Sequence, residues 1–242
     1  MTVKSIWLRK IHKWVGLVIG LQFLVWAISG TAMALLDMEE VAGGKAAAPA
    51  RPELLPESAA AWPAVRSALG GMPLESLRVR PLAGRTVIEV AAGGETRLFD
   101  AADGRPVVVD DAAAKAIAET AHPDGARAAA VTPLRELSLA VREHALPIWQ
   151  VDFADARNSS YFVSGTTGEI LERRNDTWRW WDFFWMLHNM DYAKRTSFNH
   201  PLIVFVGFAM AWLAVTGFWL LFRTMWRHDA STVRSWLRPG AK

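Results

Sequence analysis

Two apolar runs near opposite ends of the chain constrain its fold more than any other feature: Trp14 to Leu36 and Pro201 to Phe222. Each is longer than the roughly 20 residues that carry an α-helix across a hydrocarbon core. In lipid every backbone polar group must be paired within its own segment, so both runs predict transmembrane helices. His12 stands just before the first run and His200 just before the second, while His188 closes a tryptophan-rich stretch upstream. An imidazole at a membrane boundary is scarce and costly, which makes these three the candidate functional residues.

Charge orients the chain. The two ends, 1–36 and 198–242, carry nine basic residues against the single acid Asp229, a net +8, which leaves −5 on the middle. By the positive-inside rule both tails are expected in the cytoplasm and the middle on the far side, the periplasm of a Gram-negative host. The pI near 9.4 then follows from membrane orientation and does not point to nucleic acid. With no cysteine, disulfides, iron–sulfur ligation and covalent c-type haem are excluded.

The first run has a rival reading. Ala32-Met33-Ala34 matches an A-x-A signal-peptide cleavage site. The 23-residue run is long for a signal peptide, and Gly16-xxx-Gly20 offers a strip for close helix packing, so an uncleaved anchor is the expectation. Ser29-Gly30 and Thr216-Gly217 follow Trp26 and Trp212 by a few residues, small and hydroxyl positions where a helix or flat ligand can approach the backbone. Gln22 is expected to face a partner helix or ligand, because its amide is expensive to leave unpaired in lipid.

Between the spans the sequence reads as a duplication. Segments 58–69 and 112–121 have helical patterns, and each precedes strand-like alternation: 77–80, 86–91 and 96–100 in the first copy, 128–131, 148–153 and 160–164 in the second. Phe99 then Gly104 in the first corresponds to Phe162 then Gly168 in the second, with the glycines expected at turns of positive φ. A helix followed by an antiparallel meander, twice, implies an α+β domain with helices on one face of a sheet. His122 and His144 have no sequence partner at metal-ligand spacing and read as exposed loop or helix residues. The stretch 176–190, with Trp178, Trp180, Trp181 and Trp185, reads as an amphipathic helix at the membrane surface.

The organisation expected is a tail (1–13), first span (14–36), linker (37–57), two repeat units (58–110 and 111–175), an aromatic interfacial segment (176–199), second span (200–223) and tail (224–242). The elements Leu8-Arg9-Lys10-Ile11-His12-Lys13-Trp14-Val15-Gly16, Gly20-Leu21-Gln22, Trp26-Ala27-Ile28-Ser29-Gly30, Leu187-His188-Asn189-Met190-Asp191-Tyr192, Phe198-Asn199-His200-Pro201 and Thr216-Gly217 together resemble the PepSY-associated transmembrane family. The fold so implied is an α+β membrane protein, two transmembrane helices flanking a periplasmic tandem PepSY-like domain, each unit a helix on an antiparallel sheet.

The resemblance also implies a bacterial inner-membrane location. Some members of the family are haem-containing reductases serving iron and siderophore uptake, or partners in flavin-linked electron transfer. It carries His12 and His188 over as family histidines, with His200 a third candidate ligand for a b-type haem iron. His12 and His188 lie at opposite faces, separated by about the 30 Å core thickness, and cannot share one ring within one chain. Pairs at one depth are His188 with His200, and His12 with His228; a homodimer would instead pair His12 with its own copy. Relatives with four spans exist and this chain has two, so a homodimer or a subunit of a larger complex is expected. Three functional readings stand: a component of a membrane oxidoreductase acting on periplasmic iron or another oxidant, a non-enzymatic assembly or regulatory subunit docking into a membrane complex, and, by fold analogy alone, peptidase-binding PepSY modules. No G-x-G-x-x-G nucleotide fingerprint follows a strand, so the electron donor would be another molecule.

Overall fold

Hydropathy and helix length agree at both ends of the chain. The computed structural model describes residues 3–45, 58–193, 195 and 199–236, with side chains at 6–45, 60–193, 195 and 199–223. Helix α1 runs Val3–Leu35, well upstream of the apolar run it contains. After it come α2 (Met38–Val41), α3 (Ser58–Ala68), α4 (Asp111–Ala121), α5 (Asp176–Asn189) and α6 (Pro201–Trp236). Within α1 and α6 the stretches Ile6–Leu35 and Pro201–Arg223 are long and apolar enough to span a membrane. The chain divides into two compact units: 1–34 with 183–242, and 35–182.

In the membrane unit α1 and α6 are antiparallel neighbours along a narrow seam. On α1 the covered positions are His12, Val15, Ile19, Gln22, Trp26 and Ser29, stepping by three and four. On α6 they include Ile203, Val206, Met210, Leu213 and Thr216-Gly217. This heptad-like path is the shallow crossing of helices whose ridges interlock over several turns. Gly16 meets Leu213 across the seam, whereas Gly20 faces away and its position opens on nothing within 4 Å. The expected Gly16–Gly20 strip is therefore corrected: the seam follows a 3.5-residue period, and Gly20 falls outside it beside Ile19. The remaining faces of both helices are apolar and exposed, as lipid contact or a further helix requires.

The unit 35–182 is the duplication. The first copy is α3 followed by β1 (Leu74–Leu82), β2 (Arg85–Ala92), β3 (Glu95–Asp100) and β4 (Pro106–Val107); the second is α4 followed by β5 (Ala128–Pro133), β6 (Ile148–Phe153), β7 (Ser160–Ser164) and β8 (Ile170–Arg174). Each set forms a four-stranded antiparallel meander in sequence order. The fourth strands were not legible in the sequence, because β4 is two residues long and β8 holds a charged half, Glu172-Arg173-Arg174. Gly104 and Gly168 have φ of +73° and +70° and close equivalent turns, donating their N–H to Asp100 and Ser164 carbonyls.

The copies share a core. On β2 the alternation sends Ile88, Val90 and Ala92 to α3, where Ala61, Val65 and Leu69 meet them. Val87, with Leu82 and Leu98, faces the opposite way and joins Ala114, Ile117 and Ala118 of α4 and Val151, Phe153, Tyr161 and Val163 of the second sheet. The expectation of helices on one face of a sheet is thus refined: the first sheet is covered on both faces, one by its own helix and one by the second copy. Arg80 pins this junction, paired with Glu89 at 2.7 Å and donating to the Thr167 carbonyl. The segment expected as a linker begins with a capped turn, Asp37 accepting from Glu39 N–H at 2.8 Å and Val41 buried; residues 46–57 lie outside the described residues.

Candidate functional site

The two spanning helices each carry a hydroxyl–glycine pair on the seam, and each pair receives a histidine from another helix. His12 of α1 lies against α6, its Nδ1 2.8 Å from Thr216 Oγ1. A Cβ on Gly217 would come 3.4 Å from His12 Cε1, so the ring packs directly over this backbone position. The Trp212 indole lies beside the imidazole, ring centres 6.3 Å apart.

The other end repeats the arrangement with the partners exchanged. His188, in the last turn of α5, lies against α1 with its Nδ1 3.2 Å from Ser29 Oγ. A Cβ on Gly30 would come 3.2 Å from His188 Cε1, and the Trp26 ring centre is 6.1 Å from that of His188. Seventeen residues of α1 separate His12 from Ser29, about 25 Å of helix rise, so the two histidines sit at opposite ends of the pair. In both notches the hydroxyl proton is committed to its own helix: Ser29 Oγ donates to the Val25 carbonyl at 2.7 Å and Thr216 Oγ1 to the Trp212 carbonyl at 2.8 Å.

Local structure sets these positions. Asn175 starts α5, its Oδ1 accepting from Trp178 N–H at 2.8 Å while its Nδ2 donates to the Glu40 carbonyl at 2.7 Å. The helix ends at Met190, whose φ of +57° is the left-handed conformation that closes helices. Met190 is buried beside Ile19 and Val206, which holds His188, two residues earlier, against α1. His200 belongs to this corner: its Nε2 donates to the Asn189 carbonyl at 2.6 Å, tying the end of α5 to the start of α6. His188 and His200 are thus at one end, as their flanking positions imply, but with separate partners. The His228 side chain lies outside the described residues.

Three buried N–H donors of the membrane unit lack an acceptor among the described residues: Gln22 Nε2 on the seam, Trp26 Nε1 beside His188, and Asn189 Nδ2 next to it in the chain. The sequence marked Gln22 as needing a partner; the seam buries it without supplying one. Unpaired buried donors of this kind cost about 1–3 kcal/mol each and call for an acceptor.

The histidines of the middle unit are corrected. His122 is 4% exposed, not a surface residue. Its Nδ1 accepts from the N–H groups of Asp124 and Ala126, so Nε2 is the donor to Asp155 Oδ2 at 3.3 Å. Phe153 and Tyr161 flank the ring. His144 is half-buried, with Nε2 3.0 Å from Glu172 Oε1. Ser159 bonds Asp155 and not His122, so the trio is a structural clasp rather than a nucleophile with its base.

Burial acts to raise the Asp155 carboxyl, but the bonds from Ser159 N–H and Oγ and from His122 outweigh it, and the group stays below its ordinary 3.8. A carboxyl depressed on folding stabilises the fold fully above its unfolded value and loses that contribution as pH falls through the lower folded one. The stability of the middle unit to urea should therefore fall as pH drops below about 4 in the native protein, and fall less steeply in Asp155→Asn. Equal steepness in the two proteins would remove Asp155 from the acid response.

Over residues 9–241 the chain matches the family described as the PepSY-associated TM region. No curated protein and no solved structure matches it. With two membrane-spanning helices, a duplicated helix-and-meander unit between them and a family match over almost its whole length, the chain belongs to the PepSY-associated TM family.

Proposed function

We propose that the protein is a haem b electron-transfer component of the bacterial inner membrane, with His12 and His188 as the iron ligands at two depths. The observation that carries this reading is the doubled notch. Each imidazole is pressed on a glycine and held at Nδ1, while Nε2 makes no hydrogen bond among the described residues. That is the presentation an axial ligand requires, one nitrogen fixed by the protein and the other free. The orphaned donors Trp26 Nε1 and Asn189 Nδ2 support the fit beside His188, because a porphyrin's propionate oxygens are acceptors. Bound haem would supply one-electron transfer.

One chain offers one such histidine at each depth, and a second copy would supply the other two. The apolar outer faces of α1 and α6 suit this four-helix arrangement, and closed two-fold dimers are the commonest soluble assemblies. His200, its Nε2 engaged by Asn189, is assigned the positioning of His188 rather than a place on the iron. The basic tails support a cytoplasmic donor side and a periplasmic middle domain, with ferric iron, free or chelated, as the proposed oxidant. Exposed helix faces equally suit a docking subunit that carries no cofactor, and colour separates the two readings.

The test is a dithionite-reduced minus oxidised spectrum of the detergent-purified protein, with haem content per chain. A sharp reduced α band is expected, with His12→Ala and His188→Ala each retaining about half the haem and the double variant none. Full haem content in both single variants would end the assignment, and a flat spectrum from folded protein would favour the docking subunit.

A further inference from the structure

The hydroxyls of Ser29 and Thr216 do more than pack. A serine or threonine hydroxyl has one proton to donate. In both notches that proton is already directed back to the helix carbonyl four residues earlier, Val25 for Ser29 and Trp212 for Thr216. This is the back-bonding geometry available to hydroxyl residues inside helices. The oxygen can then only accept from the imidazole that faces it, so the imidazole nitrogen at 2.8 or 3.2 Å must carry the hydrogen. We infer that Ser29 and Thr216 are positioning residues that lock His188 and His12 into the Nδ1–H tautomer and thereby reserve the bare Nε2 for a ligand.

The contrast within the same unit sharpens the point. His200 donates through Nε2 to the Asn189 carbonyl, an atom that can only accept, so its neutral form is the opposite tautomer. Three histidines in one membrane unit are thus sorted by their partners: two with Nε2 bare, one with Nε2 occupied. In an unconstrained histidine side chain the Nε2–H form is the more common, so the two notches select against the intrinsic preference. The deduction uses only the chain's own donors and acceptors. It deepens the haem reading by naming what sets each ligand's orientation, yet it can be tested without haem.

The experiment is a ¹⁵N–¹H correlation spectrum of histidine-labelled, haem-free full-length protein in nanodiscs, at about two pH units above the ordinary imidazole value of about 6.5. Single His→Gln variants assign the rings. His12 and His188 are expected as Nδ1–H tautomers and His200 as Nε2–H. Ser29→Ala should release His188 to a mixture and leave His12 alone, Thr216→Ala should do the reverse, and Ser29→Thr and Thr216→Ser should restore the native pattern. An Nε2–H tautomer at His12 or His188 in the native protein, or no response to the alanine variants, would overturn the inference. In haem-loaded protein the alanine variants should weaken haem retention about 10–100-fold at one end only and raise that end's reduction potential, since the lost bond makes the imidazole a poorer electron donor. Native tautomers in a protein that takes up no haem would leave this inference standing and remove the proposed cofactor.

Discussion

Gly104→Ala and Gly168→Ala should each destabilise the middle unit, by about 3–5 kcal/mol for the first and about 2–4 kcal/mol for the second. Both glycines sit at φ near +70°, where a Cβ is strained against its own backbone. The surroundings add the rest. At Gly104 the new atom would come 2.5 Å from the Ala61 carbonyl oxygen and 2.8 Å from Ala64 Cβ, so α3 itself would have to retreat from the turn. At Gly168 it would come 2.9 Å from Leu82 Cδ1 and 3.1 Å from Ile117 Cδ1, ends of side chains that can rotate away. That difference sets the order of the two effects. Hydrogen exchange of the slowest amides in 35–182 measures the loss, and the Gly168 variant should also loosen the junction where Arg80 reaches the Thr167 carbonyl. Variants within about 0.5 kcal/mol of the native protein would mean that these turns open without disturbing either core.

On the proposed haem reading, Gly30→Val and Gly217→Val should empty the His188 and His12 positions respectively. The nearest imidazole carbon is 3.2 Å from the Cβ position at Gly30 and 3.4 Å from that at Gly217, so the branched side chain displaces the ring from its hydroxyl partner. Haem retention at the affected end should fall at least about tenfold, with the other end unchanged. Gly20→Val and Gly207→Val are the controls, since neither Cβ position meets anything within 4 Å. They add the same bulk to the same two helices and should keep full haem content. If Gly30→Val behaves like Gly20→Val, the notch does not hold the ligand, and the proposed function loses its main support. The comparison is internal to each helix, so a general loss of insertion or folding would show in the controls as well.

Much of this architecture was legible in the residues. The two spans follow from apolar runs that only a membrane or a core can accept. The strands 148–153 and 160–164 match the alternation, and the turn glycines at 104 and 168 could be assigned because glycine adopts that backbone with the least strain. The candidate site was partly legible too. Its histidines stand out by position, and Ser29-Gly30 and Thr216-Gly217 stand out as small residues in otherwise bulky helices.

What the sequence by itself determined is local: helix and strand periods, the points that need glycine, and the apolar surface each element must cover. Only the tertiary structure decided that His12 meets Thr216, 204 residues away, and that His188 meets Ser29, 159 residues away. An apolar helix can slide along another by whole turns with little change in buried surface, so the axial offset of α1 and α6 is not written in either span. It is decided where α5 ends, where Met190 packs against Ile19 and Val206 and His200 ties the corner. The burial of His122 has the same origin. Its partner Asp155 is 33 residues away, and only the pairing of the sheets and α4 into one core brings a histidine, a carboxylate and two aromatic rings together out of water.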